Sequence, residues 1–474
     1  MSVTIMWFRQ DLRVKDNPAL ISAADSGKVI PIYIHDEAIP QKAVQGAASK
    51  WWLHHALKEL NSDLEGHLRL YRGPAQEILL ELCDKLNVKE VFCNRMYEPW
   101  ARKRDKDIES ALNKGDISVN ITNGRLLWEP WQVLKEDDTP YKVFTPFYKN
   151  GCLSAPSPRL PERKPQIQFL ESSTHIKHSC GLSELGLLPT ANWDEGVASK
   201  WTVTEQSAQY KLKRFIDDAI ETYDNARDIP SINGTSRLSP YLNSGMLSPN
   251  QVWHAIYNAC DGNTDQQGIA TFLSELGWRE FSYSLLYHFD DIQKRNFKPK
   301  FNDFAWRQDK RALEAWKQGK TGIPIVDAGM RELYQTGYMH NRARMITASF
   351  LVKNLLIDWR EGERWFWDCL VDADAASNSA GWQWVAGTGA DASPYFRIFN
   401  PVTQGERFDK DGEYVKQYCP ELRALSIKYI HKPWQASEHV LTAAGIKLGQ
   451  EYPKPIVDLK ETRQRALDAY ECIK

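Results

Sequence analysis

The stretch Val29-Ile30-Pro31-Ile32-Tyr33-Ile34-His35, followed after a polar interval by Ala47-Ala48-Ser49-Lys50-Trp51-Trp52-Leu53-His54-His55-Ala56-Leu57-Lys58-Glu59-Leu60, decides the fold of the first part of the chain. Its first seven residues form an apolar run rich in β-branched and aromatic side chains, as expected of a strand covered on both faces. The later residues place apolar side chains at three- and four-residue spacing, the pattern of a helix with one buried stripe. The same alternation extends outward in both directions. Further strands are expected at residues 4–8, 68–72, 90–94 and 118–122, and helices at 47–64, 74–86 and 99–113. Strand and helix in strict alternation imply an α/β domain over residues 1–130, a doubly wound parallel sheet whose ligand crevice opens at the carboxyl ends of the strands. No GxGxxG follows the first strand and no GxxxxGK[ST] occurs, so neither a dinucleotide fingerprint nor a P-loop specifies the ligand.

From residue 131 to 200 the periodicity fades into text such as SAPSPRLPERKPQ (154–166), which reads as an inter-domain connector. Beyond it the spacing is helical, with helices expected at 204–223, 249–258, 265–287, 310–318, 323–336, 342–357 and 363–371, so residues 201–474 form an all-α domain. The 474 residues carry 60 Lys+Arg against 61 Asp+Glu. That balance excludes the global basic excess of many nucleic-acid binders, and any such contact must be local. The segment Gly337–Lys353, with His340, Arg342, Arg344 and Lys353 and no acid, is the local candidate. No run approaches the roughly 18 apolar residues of a membrane span. The opening MSVTIMWFRQDLR lacks a cleavage site, so a cytoplasmic protein is expected. Eight cysteines without a CxxC pair suggest neither zinc nor disulfides.

Three segments carry chemistry. Gly234-Thr235-Ser236-Arg237-Leu238-Ser239-Pro240 joins hydroxyls and a guanidinium ahead of a helix, which suits either a phosphate cradle or a helix N-cap. Asp372-Ala373-Asp374-Ala375-Ala376-Ser377-Asn378 imitates a calcium loop but lacks glycine at its sixth position and has Gln383 at the twelfth, which rejects calcium. Trp382-Gln383-Trp384 and residues 390–397 interleave small residues, aromatics and Arg397, a composition suited to stacking on bases or a flavin-like ring. No hydrolytic triad, HExxH or paired-carboxylate motif stands out.

In order along the chain, WFRQDLRVKDNPAL, GTSRLSP, Trp278-Arg279-Glu280-Phe281, MHNRARMITASFLVK, DWREGERWF and SNSAGWQWVAGTGADASPYFRIFNPVTQGERFD together resemble the photolyase/cryptochrome family. The resemblance spans essentially the whole chain and is most specific over residues 223–410. It implies an N-terminal α/β domain and a helical domain enclosing a U-shaped FAD. Carried over by position, the FAD contacts are Tyr223, Thr235, Ser236, Arg237, Leu238, Ser239, Phe272, Glu275, Arg279, Asn341, Arg344, Asp372, Asp374 and Asn378, the last near flavin N5, with Phe272 where many relatives have Trp. It also implies an electron relay through Trp382, Trp359 and Trp306.

Within the family, the residues resemble those of cyclobutane pyrimidine dimer photolyases. Six-four photolyases place two histidines where Asn341 and Met345 stand here. The resemblance implies light-driven splitting of a flipped-out dimer by an electron from reduced FAD. It gives Glu275 the dimer's base edge, Trp278 and Trp384 its walls, Met345 its floor, and Arg227, Arg342, Arg397 and Gln404 the DNA backbone, with Asn341 also at the lesion. The alternatives are a six-four photolyase or a blue-light cryptochrome. Asn378, the lesion-pocket residues and a family match that runs to about Tyr470 without a regulatory tail favour the repair enzyme. For the antenna, Trp100-Ala101 and Ile292-Gln293 replace a Glu and a Cys-Lys contact of well-known folate-binding members. The GAASKWWLHHAL segment, with Trp51 and Trp52, resembles branches that hold folate differently or use a deazaflavin. Methenyltetrahydrofolate is the expected pigment, a deazaflavin the alternative; the partner is UV-damaged DNA, without metal or membrane, and the family habit is monomeric.

Overall fold

In the computed structural model, which describes residues 2–171 and 174–474, the first part of the chain folds as β1 (Ser2–Phe8), α1 (Pro18–Ser26), β2 (Gly27–Asp36), α2 (Ala47–Asp63), β3 (Arg69–Gly73), α3 (Ala75–Leu86), β4 (Glu90–Asn94), α4 (Pro99–Asn113) and β5 (Ser118–Thr122). The strand order is β5-β4-β1-β2-β3, every pair parallel, with β1 central because Ile5, Met6, Phe8, Val29, Ile30 and Ile32 are all fully buried. One correction applies to the expected all-parallel sheet. The connector returns a short β6 (Ser179–Cys180) antiparallel to β3, which covers an edge that a purely doubly wound sheet would leave open. Helix α1 was not anticipated. It starts at Pro18, with the Asn17 side chain accepting from the Leu20 amide.

The second part is helical: α5 (Glu205–Asp218), α6 (Ser239–Ser244), α7 (Gln267–His288), α8 (Pro324–Thr336), α9 (Asn341–Ser349), α10 (Trp359–Cys369), α11 (Ala375–Ala386) and α12 (Pro401–Phe408) are the elements that position the site. The helix expected over 342–357 stops at Ser349 and widens into a π turn, Phe350–Asn354. Helix α11 was not among the helices expected from the spacing. It is buried on almost every side, so it shows no polar stripe to mark it.

The two parts share one hydrophobic cluster that runs from Met6 to Ala376. Trp52 packs edge-on against Tyr241 (5.0 Å) and Trp201 (5.6 Å), and its indole N–H donates to Ser244 Oγ at 3.0 Å. The fully buried Arg13 donates to the carbonyls of Gly245 and Gly124 at 2.8 Å each, tying the sheet domain to the turn after α6. The connector reaches further than a linker would: Phe144 stacks on Trp278 of α7 with ring centroids 3.8 Å apart and planes 10° apart. Among the described residues no helix is long and apolar enough to cross a membrane, and no cluster of His, Cys, Asp or Glu is set to hold a metal.

Candidate functional site

Helix α11 is the floor of the site. Ala375, Ala376, Ser379, Trp382, Gln383, Val385 and Ala386 are buried, yet Ser377 and Gly381 are exposed and Asn378 half-exposed. These three lie at four- and three-residue spacing, so one narrow strip of a core helix faces open space. A Cβ built on Gly381 would meet no atom within 4 Å. An exposed strip in the middle of a buried helix offers a bed for a flat group, and its width suits a ring such as a flavin.

The rim above that floor is polar. Arg344 of α9 grips both oxygens of Asp372 (3.0 and 2.8 Å), and Ser239 Oγ donates to the same carboxylate at 2.6 Å. The 234–239 loop does not cap α6: the cap position is taken by Leu238, with no side-chain bond to the helix amides. Arg237 adopts a left-handed backbone, φ 51, which costs a non-glycine residue on the order of 1 kcal/mol. Its guanidinium lies 5.5 Å from the Tyr338 ring centroid and makes no ion pair among the described residues. Uncapped amides, free hydroxyls of Thr235 and Ser236 and an unpaired cation in a strained loop suit phosphate oxygens better than a cap.

An aromatic wall stands beside the loop, where Tyr223 and Phe272 pack edge-on at 5.2 Å, both buried. One turn further along α7, Glu275 accepts from Arg227. The next residue, Asp228, accepts from Arg342 of α9. Asn341 and Met345 share a face of α9, Asn341 Nδ2 lying 4.0 Å from the Met345 sulfur. Trp278 and Trp384 are half-buried, Gln404 sits half-buried on α12, and Arg397 is exposed, its amide donating to the Pro394 carbonyl at 2.9 Å while its guanidinium makes no hydrogen bond or ion pair among the described residues.

Trp382 and Trp359 are buried (3% and 0%), whereas Trp306 is half-exposed. A Cβ at Gly362 would collide with the Trp382 ring, so this glycine lets the indole settle on α10 one turn from Trp359. Trp359 donates its indole N–H to Asn296 at 2.9 Å. Arg307, next to Trp306, is held by its amide to the Leu356 carbonyl at 2.7 Å, three residues before Trp359. Two of the three rings thus lie in the core and the third reaches solvent.

Three residues that sequence reasoning missed buttress the floor. Arg125, from the loop after β5, donates through Nε to the Tyr283 hydroxyl (2.8 Å) and through Nη2 to Asp374 (3.3 Å), and its carbonyl accepts from Arg279 (2.9 Å). Tyr283 donates to Asp374, which caps α11 by accepting from the Ser377 amide at 2.7 Å. Burial alone would raise the Asp374 carboxyl; Arg125 and Arg279 outweigh it and hold it below its ordinary value. Glu363 is the second. Burial pushes its carboxyl up to about 7, Ser379 donates to it, and its carbonyl accepts from Asn378 Nδ2 at 3.1 Å. Gly381 is the third; a glycine inside an aromatic helical string was its only signal. One nitrogen of Arg279, Nη2, is buried without a partner and marks a donor awaiting an acceptor.

The expected antenna platform is corrected. Trp51 and Trp52 are each 2% exposed, so neither offers a face to a pigment. At the carboxyl ends of β1 and β4 the crevice is lined by charged and aromatic side chains. Arg104 lies 4.9 and 5.0 Å from the Trp7 and Trp100 centroids and pairs with Asp105 (2.8 Å) and Asp36 (3.3 Å).

Comparison with known proteins gives concordant matches. The family model described as the FAD binding domain of DNA photolyase covers residues 272–472, and that described as DNA photolyase covers residues 4–166. A deoxyribodipyrimidine photo-lyase of Agrobacterium fabrum is 46% identical over 475 residues, 99% of this chain and 98% of the relative. The crystal structure of a bacterial class III photolyase from Agrobacterium tumefaciens aligns with a TM-score of 0.94 at 45% identity, covering 100% of this chain and 98% of that one. Cryptochrome-2 of Arabidopsis thaliana is 36% identical over 476 residues, 97% of this chain but 77% of the plant protein.

Proposed function

The chain belongs to the DNA photolyase/cryptochrome family, with an FAD-binding helical domain, and on that premise we propose that it is a light-driven repair enzyme that splits cyclobutane pyrimidine dimers. The observation that carries the reading is the open strip Ser377-Asn378-Gly381, framed by the Arg344–Asp372–Ser239 rim, with lesion-pocket side chains standing above it. Bound and reduced, FAD supplies on illumination the electron that opens the cyclobutane ring. The residues supply the rest. Thr235, Ser236, Arg237 and the amides of Leu238 and Ser239 would hold the pyrophosphate; Tyr223, Phe272 and Arg279 would flank the cofactor, and Asn341, Arg344, Asp372, Asp374 and Asn378 would set the ring's orientation. Glu275 would accept from the dimer's base edge between Trp278 and Trp384 over Met345. Arg227, Arg342, Arg397 and Gln404 would hold the backbone of the strand from which the dimer is flipped, a step that costs a few kcal/mol, and least for a damaged base. Trp382, Trp359 and Trp306 would conduct electrons inward from the surface.

Six-four chemistry needs a proton donor and acceptor at the lesion. Asn341 and Met345 are neither, and the adjacent His340 is unsuited: burial, then the Arg237 charge, pushes it down to about 3, and its Nδ1 is engaged by the Arg342 amide at 3.2 Å. For the antenna, methenyltetrahydrofolate is the proposed pigment and a deazaflavin the alternative, with the crevice lined by Arg104, Trp7 and Trp100 as one candidate place. Extraction of the pigment from protein made in its own host tests this. The main test is illumination of the purified, reduced protein with duplexes carrying either photoproduct. Loss of the cyclobutane dimer alone is expected; repair of neither, or of the six-four product, overturns the reading.

A further inference from the structure

Four charged side chains form a chain across the mouth of the site. Helices α7 and α9 each pack on α11. Across the gap between them, Arg227 donates to Glu275 of α7 at 2.5 Å, and the neighbouring Asp228 accepts from Arg342 of α9 at 2.5 Å. The side chains of Arg227 and Glu275 are 20% and 31% exposed, and those of Arg342 and Asp228 17% and 32%, so both pairs stand at the opening rather than in the core. Each arginine is also steadied by a ring, Arg227 over Tyr223 at 5.4 Å and Arg342 over Phe408 at 4.2 Å. Two groups that the substrate needs are therefore engaged with each other: the guanidinium suited to backbone phosphate and the carboxylate suited to the lesion's base edge.

We propose that the Arg227–Glu275 pair is a specificity latch, closed on undamaged DNA and opened by the dimer. Undamaged duplex offers Arg227 a phosphate but offers Glu275 nothing. Capturing the arginine would strand a carboxylate at the mouth facing a polyanion, so the exchange gains little. A flipped dimer brings base N–H donors to Glu275. The carboxylate then trades the guanidinium for neutral N–H donors that keep it hydrogen-bonded, and Arg227 is released to pair with a backbone phosphate. Lesion reading and backbone grip are thereby coupled in one ion pair, and backbone affinity acquires a dependence on damage that phosphate contacts alone cannot carry. The proposal rests on the reading of Glu275 as the dimer's contact.

The test is dark binding of undamaged and single-dimer duplexes to the FAD-loaded wild type, Glu275→Gln, Arg227→Gln and the double variant over a range of salt, with flavin content and circular dichroism confirming the fold of each. Glu275→Gln should bind undamaged duplex more tightly, because Arg227 becomes free for one more phosphate. At a slope of about 0.9 per contact this is roughly eightfold at 0.1 M salt, with the salt slope steeper by about 0.9. The same variant should bind the dimer more weakly. In the Arg227→Gln background the change at Glu275 should give no gain on undamaged DNA. An equal gain there means a general loss of negative charge and overturns the latch. Weaker dimer binding without a gain on undamaged DNA also overturns the latch but leaves Glu275 as lesion reader, whereas a gain with unchanged dimer affinity refutes the reader and the latch with it.

Discussion

Replacing Arg125 by Met should destabilise the protein by about 3–5 kcal/mol at pH 7, the cost of stranding one member of a buried ion pair. Arg125 and Asp374 side chains are 4% and 8% exposed. The substitution removes the guanidinium donors to Asp374, Tyr283 and Asn243 but keeps the carbonyl contact to Arg279, which comes from the backbone. Asp374 is then left with Tyr283, the Ser377 amide and a more distant Arg279. Urea unfolding of the apoprotein reads the loss as a lower midpoint at unchanged slope. If the cost lies in the stranded carboxylate, Arg125→Met with Asp374→Asn should recover part of it, a coupling of about 1–3 kcal/mol. The pH dependence gives a second check. In the native protein the Asp374 carboxyl is depressed, so its stabilising contribution is present above the ordinary aspartate range and lost only as pH falls through the depressed value. Without Arg125, burial dominates and the carboxyl rises; the folded variant then takes up a proton more readily than its unfolded chain. Its deficit relative to wild type should therefore shrink between pH 7 and pH 5. A loss under about 1 kcal/mol, strict additivity in the double variant, or a deficit constant with pH would refute the assignment of Arg125 to this carboxylate.

Gly381→Leu should leave the apoprotein as stable as wild type or up to about 1 kcal/mol more so, since the position is helical and its Cβ meets open space, while abolishing FAD uptake in reconstitution followed by flavin absorbance; a destabilised apoprotein would contradict the open strip. Glu363→Gln should stabilise the protein by up to about 3 kcal/mol at pH 8 and by nothing near pH 4.5, because a carboxyl raised from 4.5 to about 7 on folding weakens the fold as pH climbs through that window. Denaturant midpoints at the two pH values check the sign. Trp306→Phe should block photoreduction of oxidised flavin yet spare repair once the flavin is reduced chemically, and intact photoreduction would remove Trp306 from the relay.

Legibility in the sequence followed how each element is buried. Residues 90–94, 118–122 and 99–113 were bounded as found, because a buried apolar run, an alternating edge strand and a helix with one wet side each carry their own pattern. Helix α9 was extended too far because the apolar spacing continues through the π turn, whose wider backbone leaves no trace in residue type. Arg125 was silent for a different reason: its partner Asp374 is 249 residues away, and nothing in NGRLLWEP distinguishes a buried arginine from an exposed one.

Helix α11 shows why a ligand site is the hardest part to read and also where the reading can start. With protein on almost every side and only a narrow open strip, it has no broad polar face, and the amphipathic signal on which helix recognition depends cannot arise. What remains are departures from local preference that protein contacts do not repay. Gly381 sits in a helix interior where alanine would be worth about 1 kcal/mol, Arg237 takes a left-handed backbone, and Arg279 buries a nitrogen with no acceptor. Each is a small cost on its own. On the proposed reading a single FAD would meet them together: a flat ring over the missing Cβ, an anion at the strained loop, an oxygen at the orphaned nitrogen.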